Sequence, residues 1–307
     1  MNNKLATLIL VLITAAWGSS FILMKNVATD VSALAFLTLR FGLAGLILAA
    51  IFCKHVKRYT KRTILHSFVL GGLLCGYMVL QICGLRYTSA SNSGFITSLS
   101  VLVVPLLSGP FLKKKPTKSN YLGVLLAVLG LACITGILQD FTALNRGDFY
   151  TLLCAVCVAV HIIVADFYVK EDDGLLLGIG QTLAAAVLSF VCWFFTDSKT
   201  FASVDYTGTL VAAVVLTAVF CTAFAFTGQV VMQKFVAPSR IAVIFTLEPV
   251  FAYIYALFIP GPEGVTEPLT LFKLLGSVFI VGGMIISEIG LLERFKKENI
   301  SQTDTLQ

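Results

Sequence analysis

The chain has 307 residues, of which 58% are hydrophobic and only 12% are charged, and its mean hydropathy is +0.93. Because soluble globular domains carry about 25% charged residues, this composition excludes an ordinary soluble protein and indicates a polytopic membrane protein. The net charge of +6 does not indicate a nucleic-acid partner, since the basic residues are concentrated in short segments between apolar runs.

The first apolar run starts after Lys4 and contains the sequence WGSS at 17–20. A basic residue, an apolar run and small residues in this order are typical of a secretory signal peptide with its cleavage site. Here the apolar sequence resumes with FILM at 21–24, so the run reaches the ~20 residues that a membrane-spanning helix needs. We therefore predict a retained first helix. Its small residues would let a neighbouring helix approach closely while Trp17 faces a cavity, or the whole group would serve packing alone.

Ten apolar runs are long enough to span a membrane. They cover residues 5–25, 33–53, 67–86, 89–112, 120–138, 148–168, 174–195, 206–229, 238–259 and 269–291. We predict an all-α membrane protein with ten transmembrane helices joined by short segments.

Lysine and arginine are distributed unevenly between the two sides of the predicted bundle. With a cytoplasmic N-terminus, most of the 22 basic residues fall in cytoplasmic segments, among them 54–62, 113–118 and 294–297. Because cytoplasmic loops are enriched in Lys and Arg, we predict a multi-pass protein of the plasma membrane with both termini in the cytoplasm.

The two halves of the chain are similar to each other. TSLSVL at 97–102 aligns with FTLEPV at 245–250, and YTSASNSG at 87–94 aligns with FVAPSRIA at 235–242. Both alignments have the same offset, so they form one continuous match between the halves. Five spans per half place the halves in opposite orientations, and such inverted repeats are typical of secondary transporters.

A third alignment extends the similarity to the last span of each half. GVLLAVLG at 123–130 matches GSVFIVGG at 276–283. We therefore predict a first repeat over 1–138, a second repeat over 139–293 and a polar cytoplasmic tail over 294–307.

Several segments resemble the drug/metabolite transporter superfamily, in its branch with two EamA domains. They are WGSSFILMK, LRFGLAGLIL, RYTSASNSGFITSLSVLVVPLL, GVLLAVLGLACI, LEPVFAYIYALF and GSVFIVGGMIIS. The resemblance implies ten helices in two inverted groups of five and transport of amino acids, sugars, other metabolites or toxic compounds, often outward. Two positions depart from the pattern of many members: Val101 stands where they carry proline, and KKKPT at 113–117 stands where they carry Gly-Glu.

Glu248 is the strongest candidate for a solute-binding or ion-binding residue. It lies about ten residues into the ninth run, where an ionisable side chain costs roughly 2.5–3.5 kcal/mol on insertion scales. We expect Glu248 to face the interior of the bundle and to bind a cationic group or take up a proton; a neutral Glu248 that stabilises a helix break is the alternative. Pro249 lacks a backbone donor, so we predict a helix break there and a second one at Pro105.

Arg40 and Gln181 are polar residues at matching places in the two halves, in the second and the seventh apolar runs. Arg40 could hold a substrate carboxylate or pair with Glu248, or its side chain could snorkel to the outer interface. Gln181 could line the same cavity or form an interhelical hydrogen bond.

Further candidates lie on the third, fourth and sixth runs. His161 could titrate near neutral pH or serve packing. Tyr77 and Gln81 share one face of the third helix and could contact a substrate. A polar face of the fourth helix could line the solute path, although Ser and Thr also bond back to their own helix; it comprises Asn92, Ser93, Thr97 and Ser100.

Together with the resemblance, these features predict a secondary transporter that moves small organic metabolites such as amino acids or drugs by alternating access, with export as the expected direction. We expect a small-molecule solute, membrane lipid and H⁺ as partners, no cofactor, no metal, and a monomer or homodimer. The sequence has no GxxxxGK[ST] run for ATP and no HExxH or GxSxG run for an enzyme. A membrane scaffold or sensor subunit without transport activity is the alternative.

Overall fold

The computed structural model of the chain describes residues 3–27, 30–88, 90–112, 116–135, 145–197, 204–261, 264–266, 268–290 and 292. The predicted tail 294–307 and the basic residues 113–115 lie outside these ranges. All regular secondary structure within them is helical. The elements are α1 (Asn3–Lys25), α2 (Ala33–Ile51), a 3-10 helix (Cys53–Arg58), α3 (Lys61–Leu85), α4 (Ala90–Ser98), α5 (Ser100–Leu112), α6 (Lys118–Thr135), α7 (Arg146–Tyr168), α8 (Gly174–Asp197), α9 (Gly208–Leu216), a π-helix (Thr217–Phe224), α10 (Ala225–Gln233), α11 (Pro238–Phe245), α12 (Glu248–Ala256) and α13 (Leu271–Ile289).

Seven helical segments in the described ranges are long and apolar enough to cross a membrane. They are α1, α2, α3, α7, α8, the continuous stretch from α9 to α10, and the pair α11 and α12. Shorter apolar helices fall on the other three predicted runs, at Ile96–Ser108, Lys118–Cys133 and Leu271–Ser287. The helical class is as predicted and the apolar helices indicate an integral membrane protein, while the count of ten spans stays a prediction.

α3 begins at Lys61, before the predicted third span, and polar contacts stabilise its first turns. Thr60 caps the helix, because its Oγ1 accepts a hydrogen bond from the backbone N–H of Thr63 at 3.1 Å. The hydroxyl of Thr63 donates to Asp172 at 2.7 Å, and Nδ1 of His66 lies 2.6 Å from the other oxygen of Asp172. Hydropathy could not predict these first turns, because residues of the connection between α7 and α8 stabilise them.

Two of the predicted spans are interrupted at equivalent positions of the two halves. The fourth span divides into α4 and α5 at Leu99, and the ninth divides into α11 and α12 at 246–247. At both breaks a backbone N–H bonds to the carbonyl three residues earlier, Leu99 to Ile96 at 3.1 Å and Leu247 to Ile244 at 3.0 Å. These hydrogen bonds are those of a 3-10 turn, and the alignment of TSLSVL with FTLEPV places one on the other.

Proline is not the common cause of the two breaks. Pro249 lies in the first turn of α12, directly after the second break, where a missing N–H is tolerated. The break predicted at Pro105 is wrong, because α5 (Ser100–Leu112) continues through this residue and the chain breaks at Leu99 instead. Val101 is the equivalent of Pro249, so the first half makes its break without a proline at that position.

Glycine residues bring α6 and α13 into close antiparallel contact. A Cβ added at Gly123 would lie 2.7 Å from the carbonyl oxygen of Gly283, and one added at Gly130 would lie 2.5 Å from that of Gly276. In the alignment of the halves, Gly123 corresponds to Gly276 and Gly130 to Gly283. Each contact is therefore the image of the other, as expected for two helices related by a pseudo-two-fold axis.

The sequence WGSS packs α1 closely against α12. A Cβ on Gly18 would lie 2.6 Å from Cβ of Phe251 and 2.8 Å from the backbone nitrogen of Ala252, so only glycine allows this approach. The small residues thus bring α12, which begins at Glu248, beside the helix that carries Trp17.

Candidate functional site

A cavity of about 650 Å³ lies between α1, α2, α3, α7, α10 and the two interrupted spans. This volume counts all space free of atoms, including the part open to solvent. Both 3-10 breaks contribute to its wall, through Ser98 and Ser100 in the first half and Thr246 and Glu248 in the second. A cavity with a mixed polar and aromatic wall is the usual form of a small-molecule site.

Most of the lining residues form pairs that relate one half of the chain to the other. Five pairs follow the alignment that places TSLSVL on FTLEPV: Met78 and Phe226, Gln81 and Gln229, Thr97 and Phe245, Ser98 and Thr246, and Ser100 and Glu248. Two more pairs follow the offset that relates Arg40 to Gln181: Trp17 and Val158, and Ser20 and His161. Equivalent positions of the two halves therefore face one common cavity.

Arg40 is the most deeply buried charged residue of the wall, with 1% of its surface exposed. Its Nε donates to Oγ1 of Thr222 at 2.7 Å, and its Nη2 donates to the carbonyl of Cys221 at 3.3 Å. Its Nη1 lies 3.3 Å from Oγ of Ser20 and 3.4 Å from Sδ of Met24. The side chain therefore does not snorkel to an interface.

The π-helix between α9 and α10 supplies two of these acceptors. Trp17 also donates to the carbonyl of Cys221, from Nε1 at 3.0 Å, so this carbonyl accepts bonds from two side chains of the cavity wall. A π-helix widens the backbone turn and often marks a functional site. Here it turns the carbonyl of Cys221 and the hydroxyl of Thr222 toward Arg40.

Glu248 faces the cavity from the first turn of α12. It makes no hydrogen bond and no ion pair within 4.0 Å to any residue that the structure describes, so the direct pair with Arg40, one of the alternatives for that residue, is not formed. Both residues nevertheless line the same cavity. Their charges lie in one low-dielectric space without contact.

His161 and Gln181 form a hydrogen-bonded pair between α7 and α8. Nε2 of His161 lies 2.9 Å from Oε1 of Gln181, whose amide donates to the carbonyl of Phe226 at 3.1 Å. His161 lines the cavity, whereas Gln181 does not, so of the two alternatives for Gln181 the structure shows the interhelical hydrogen bond. The pair corresponds to Ser20 and Arg40 in the first half.

Of the other predicted site residues, some line the cavity and others do not. Tyr77, Gln81 and Thr97 line it, as does Trp17. Ser93 is fully buried, and its hydroxyl lies 3.4 Å from that of Thr151 on α7, outside the cavity wall. Asn92 belongs to α4, but its side chain lies outside the described part of the structure.

Comparison with known proteins assigns the family. The model of the EamA-like transporter family matches residues 4–136 and again residues 145–288. This chain belongs to the EamA-like transporter family. Two similar curated proteins are an uncharacterized transporter of Archaeoglobus fulgidus, 31% identical over 92% of this chain and 85% of its own length, and the uncharacterized transporter YyaM of Bacillus subtilis, 25% identical over 87% and 88%. One crystal structure superposes with a TM-score of 0.78 at 19% identity and covers 96% of this chain and 99% of its own, which supports the fold alone.

Aromatic rings form one side of the cavity in this EamA-like transporter. Trp17 contacts Phe226 at 5.2 Å and Phe245 at 4.9 Å between ring centroids, and Tyr77 contacts His161 at 5.7 Å. Rings at these distances and tilts stabilise one another beyond simple burial. They give the wall a rigid apolar surface beside its polar groups.

The sequence interpretation missed several wall residues of the second half, of which Gln229 is the clearest. It lies in α10, is 2% exposed, and its Oε1 has no hydrogen-bond partner among the described residues. The signal was present in the sequence, because the alignment of the halves places Gln229 on Gln81. For each candidate residue of the first half, the same alignment identifies an equivalent candidate in the second half.

Proposed function

We propose that this family member is a secondary transporter that moves small organic metabolites, such as amino acids or drugs, by alternating access. The observation that carries the proposal is the cavity that equivalent positions of the two halves line together. In inverted-repeat transporters the solute site lies between the repeats, often at interrupted helices. The cavity here is lined by residues of both halves and of both interrupted helices, which supports the proposal.

The proposed architecture comprises ten spans in two inverted repeats, with both termini in the cytoplasm. The mirrored glycine contacts between α6 and α13 support the inverted relation, and the distribution of Lys and Arg supports the orientation. A reporter fused after Gln307 should be cytoplasmic, and one inserted within 139–147 should be external. An external C-terminus would contradict the ten-span count.

The proposed solute-contacting residues are those predicted residues that line the cavity. They are Trp17, Arg40, Tyr77, Gln81, Thr97, His161 and Glu248. Gln181 acts through His161 by holding its ring. Glu248 is the proposed site of proton exchange, because it is an ionisable side chain that faces the cavity without a hydrogen-bond partner among the described residues.

Solute flux in proteoliposomes tests this proposal. The full-length protein is reconstituted, and the uptake of labelled amino acids and of cationic drugs is measured under an imposed pH gradient. We expect flux of at least one solute above that of protein-free liposomes, with export in cells as the physiological direction. Folded protein without any solute flux would favour a scaffold or sensor subunit.

A further inference from the structure

The guanidinium of Arg40 has only neutral acceptors among the described residues. They are a threonine hydroxyl, a serine hydroxyl, a backbone carbonyl and a thioether. The thioether of Met24 is a weak acceptor, and one of the five N–H groups has no partner in the described part of the chain. Among the described residues, no anion lies within 4.0 Å of this buried positive charge, and the charge of Glu248 acts on it only from a greater distance. A buried charge without a close counter-ion is costly in a low-dielectric site.

Glu248 is in the opposite situation in the same cavity. Its carboxylate has no donor and no cation within 4.0 Å among the described residues. A carboxylate in such a cavity gains most from a positively charged donor, because hydrogen bonds between charged groups are roughly twice as strong as neutral ones. The wall thus offers one position for an anionic group and one for a cationic group.

Each half of the chain supplies one of the two charges. The residue equivalent to Arg40 is Gln181, which is neutral, and the residue equivalent to Glu248 is Ser100, which is neutral as well. An undiverged duplication would give each charge twice. The two halves have instead diverged so that one carries the cation and the other the anion.

An aromatic surface lies beside Arg40 and lines the same cavity as Glu248. The ring centroid of Phe226 is 5.9 Å from Cζ of Arg40, and the ring of Trp17 lies 5.2 Å from that of Phe226. Trp17 also contacts Phe245, the last residue of α11 before the break that leads to Glu248. An apolar part of a solute can pack on these rings while its ends reach the charges.

We propose that the cavity binds a zwitterionic solute, with its carboxylate on Arg40 and its ammonium group on Glu248. This proposal rests on the proposed use of the cavity as the solute site. The solute would neutralise both charges of the cavity wall at once, which neither a pure cation nor a pure anion can do. Thr222 acts as a positioning residue, because its hydroxyl holds Nε of Arg40 at 2.7 Å and leaves one N–H of the guanidinium for the carboxylate.

Matched solute analogues test the charge requirement on the unmodified protein. The thermal unfolding temperature of the purified full-length protein is measured with a panel of the standard L-amino acids and glycine betaine, since a bound solute raises it. For each solute that stabilises the protein, the amide lacks the carboxylate and the desamino acid lacks the ammonium group. We expect both analogues to bind about 10- to 100-fold more weakly, because each leaves one charge of the cavity wall unpaired.

Variants assign each end of the solute to a residue. In Arg40→Gln the amide should bind as well as the parent solute, while the desamino acid should still bind weakly; Glu248→Gln should give the reverse. Thr222→Val should reduce the discrimination against the amide. Thr217→Val is its matched control, because the Thr217 hydroxyl bonds within its own helix, to the carbonyls of Ala213 and Val214.

The outcomes separate this proposal from the transport proposal. Analogues that bind as tightly as the zwitterion, or a panel without any stabilising zwitterion, would overturn the charge requirement. Flux of a neutral or purely cationic solute would leave transport intact and overturn this proposal. Binding of a zwitterion with the expected discrimination but without flux would retain the site and overturn transport.

Discussion

Gln81 and Gln229 occupy equivalent positions of the two halves and line the same cavity, on α3 and α10. Both are more than nine-tenths buried, at 7% and 2% exposure. Burial of an amide in an apolar bundle is unfavourable unless the amide has partners. The two halves thus place two amides, each unfavourable to bury, in the wall of one cavity. This arrangement is expected where a solute or ordered water supplies the missing hydrogen-bond partners.

The contact between α6 and α13 gives a prediction for stability. Gly283→Ala should lower the free energy of unfolding by about 1–3 kcal/mol, because its Cβ would lie 2.7 Å from the carbonyl oxygen of Gly123. Gly282→Ala is the control, since a Cβ there meets nothing within 4 Å and alanine favours a helix by about 1 kcal/mol. Thermal unfolding in detergent measures both. Equal effects of the two variants would contradict the close helix contact.

Cysteine labelling tests the wall formed by α4. In a background without the native cysteines, Thr97→Cys should react with aqueous thiol reagents, because Thr97 lines the cavity. Ser93→Cys should be protected, since Ser93 is fully buried beside Thr151. The sequence alone predicted both positions on the cavity face. Protection of position 97 in every state would move the cavity away from α4.

The sequence could predict the parts of the site that depend on pattern. Glu248 and Arg40 stand out because charges are rare in apolar runs, and Tyr77 and Gln81 share a helical face. The same periodicity cannot show whether a polar residue faces the cavity or a neighbouring helix, which is why both alternatives stayed open for Gln181.

Contacts between segments that are distant in the chain cannot be predicted from sequence periodicity. Two partners of Arg40 come from a π-helix in the other half of the chain, which no propensity in TAVFCTAF reveals. The break at Leu99 has no proline or glycine to mark it. The alignment of the halves places this break on the one at 246–247, but the sequence alone does not reveal either position.

The contacts of Asp172 give a prediction for the dependence of stability on pH. Burial alone would raise its pKa, but hydrogen bonds with Thr63 and His66 and the charge of Arg62 outweigh this effect, so the pKa lies below the usual 3.8. A lowered pKa in the folded state stabilises the protein above the unfolded value, and this stabilisation is lost as the pH falls through the folded value. The contribution of Asp172 should therefore be complete near neutral pH, begin to fall near pH 3.8, and be lost as the pH drops through the lower pKa of the folded state.

Asp172→Asn tests this contribution. At pH 7 the variant should be less stable than the wild type by about 1–2 kcal/mol, mainly through the bonds to Thr63 and His66, because Arg62 is half exposed and its ion pair is screened. The difference in unfolding temperature between the two proteins should shrink as the pH is lowered toward 3. Asp205→Asn, at an exposed position before α9, is the control. A difference that stays constant over this range would assign the effect to packing.

The proposed proton exchange at Glu248 predicts the result of one isosteric substitution. Glu248→Gln keeps the size of the side chain and most of its hydrogen bonding but cannot titrate. Transport by this variant should no longer respond to an imposed pH gradient, whereas the protein should still fold and insert. Glu248→Asp should retain part of the response, because it keeps a titratable carboxylate. Asp172→Asn removes a carboxylate outside the cavity and should leave the response unchanged.

Other titratable groups of the cavity wall must be separated from Glu248, namely Arg40, Tyr77 and His161. Arginine stays charged over the range in which transport is measured, and tyrosine titrates well above it, so His161 is the competing site. His161→Gln should preserve the pH response if Glu248 exchanges the proton. Loss of the response in His161→Gln with an unchanged response in Glu248→Gln would transfer the coupling to His161, whose ring Gln181 orients. The zwitterion site would still stand in that case, because a permanently charged Glu248 binds an ammonium group without taking up a proton.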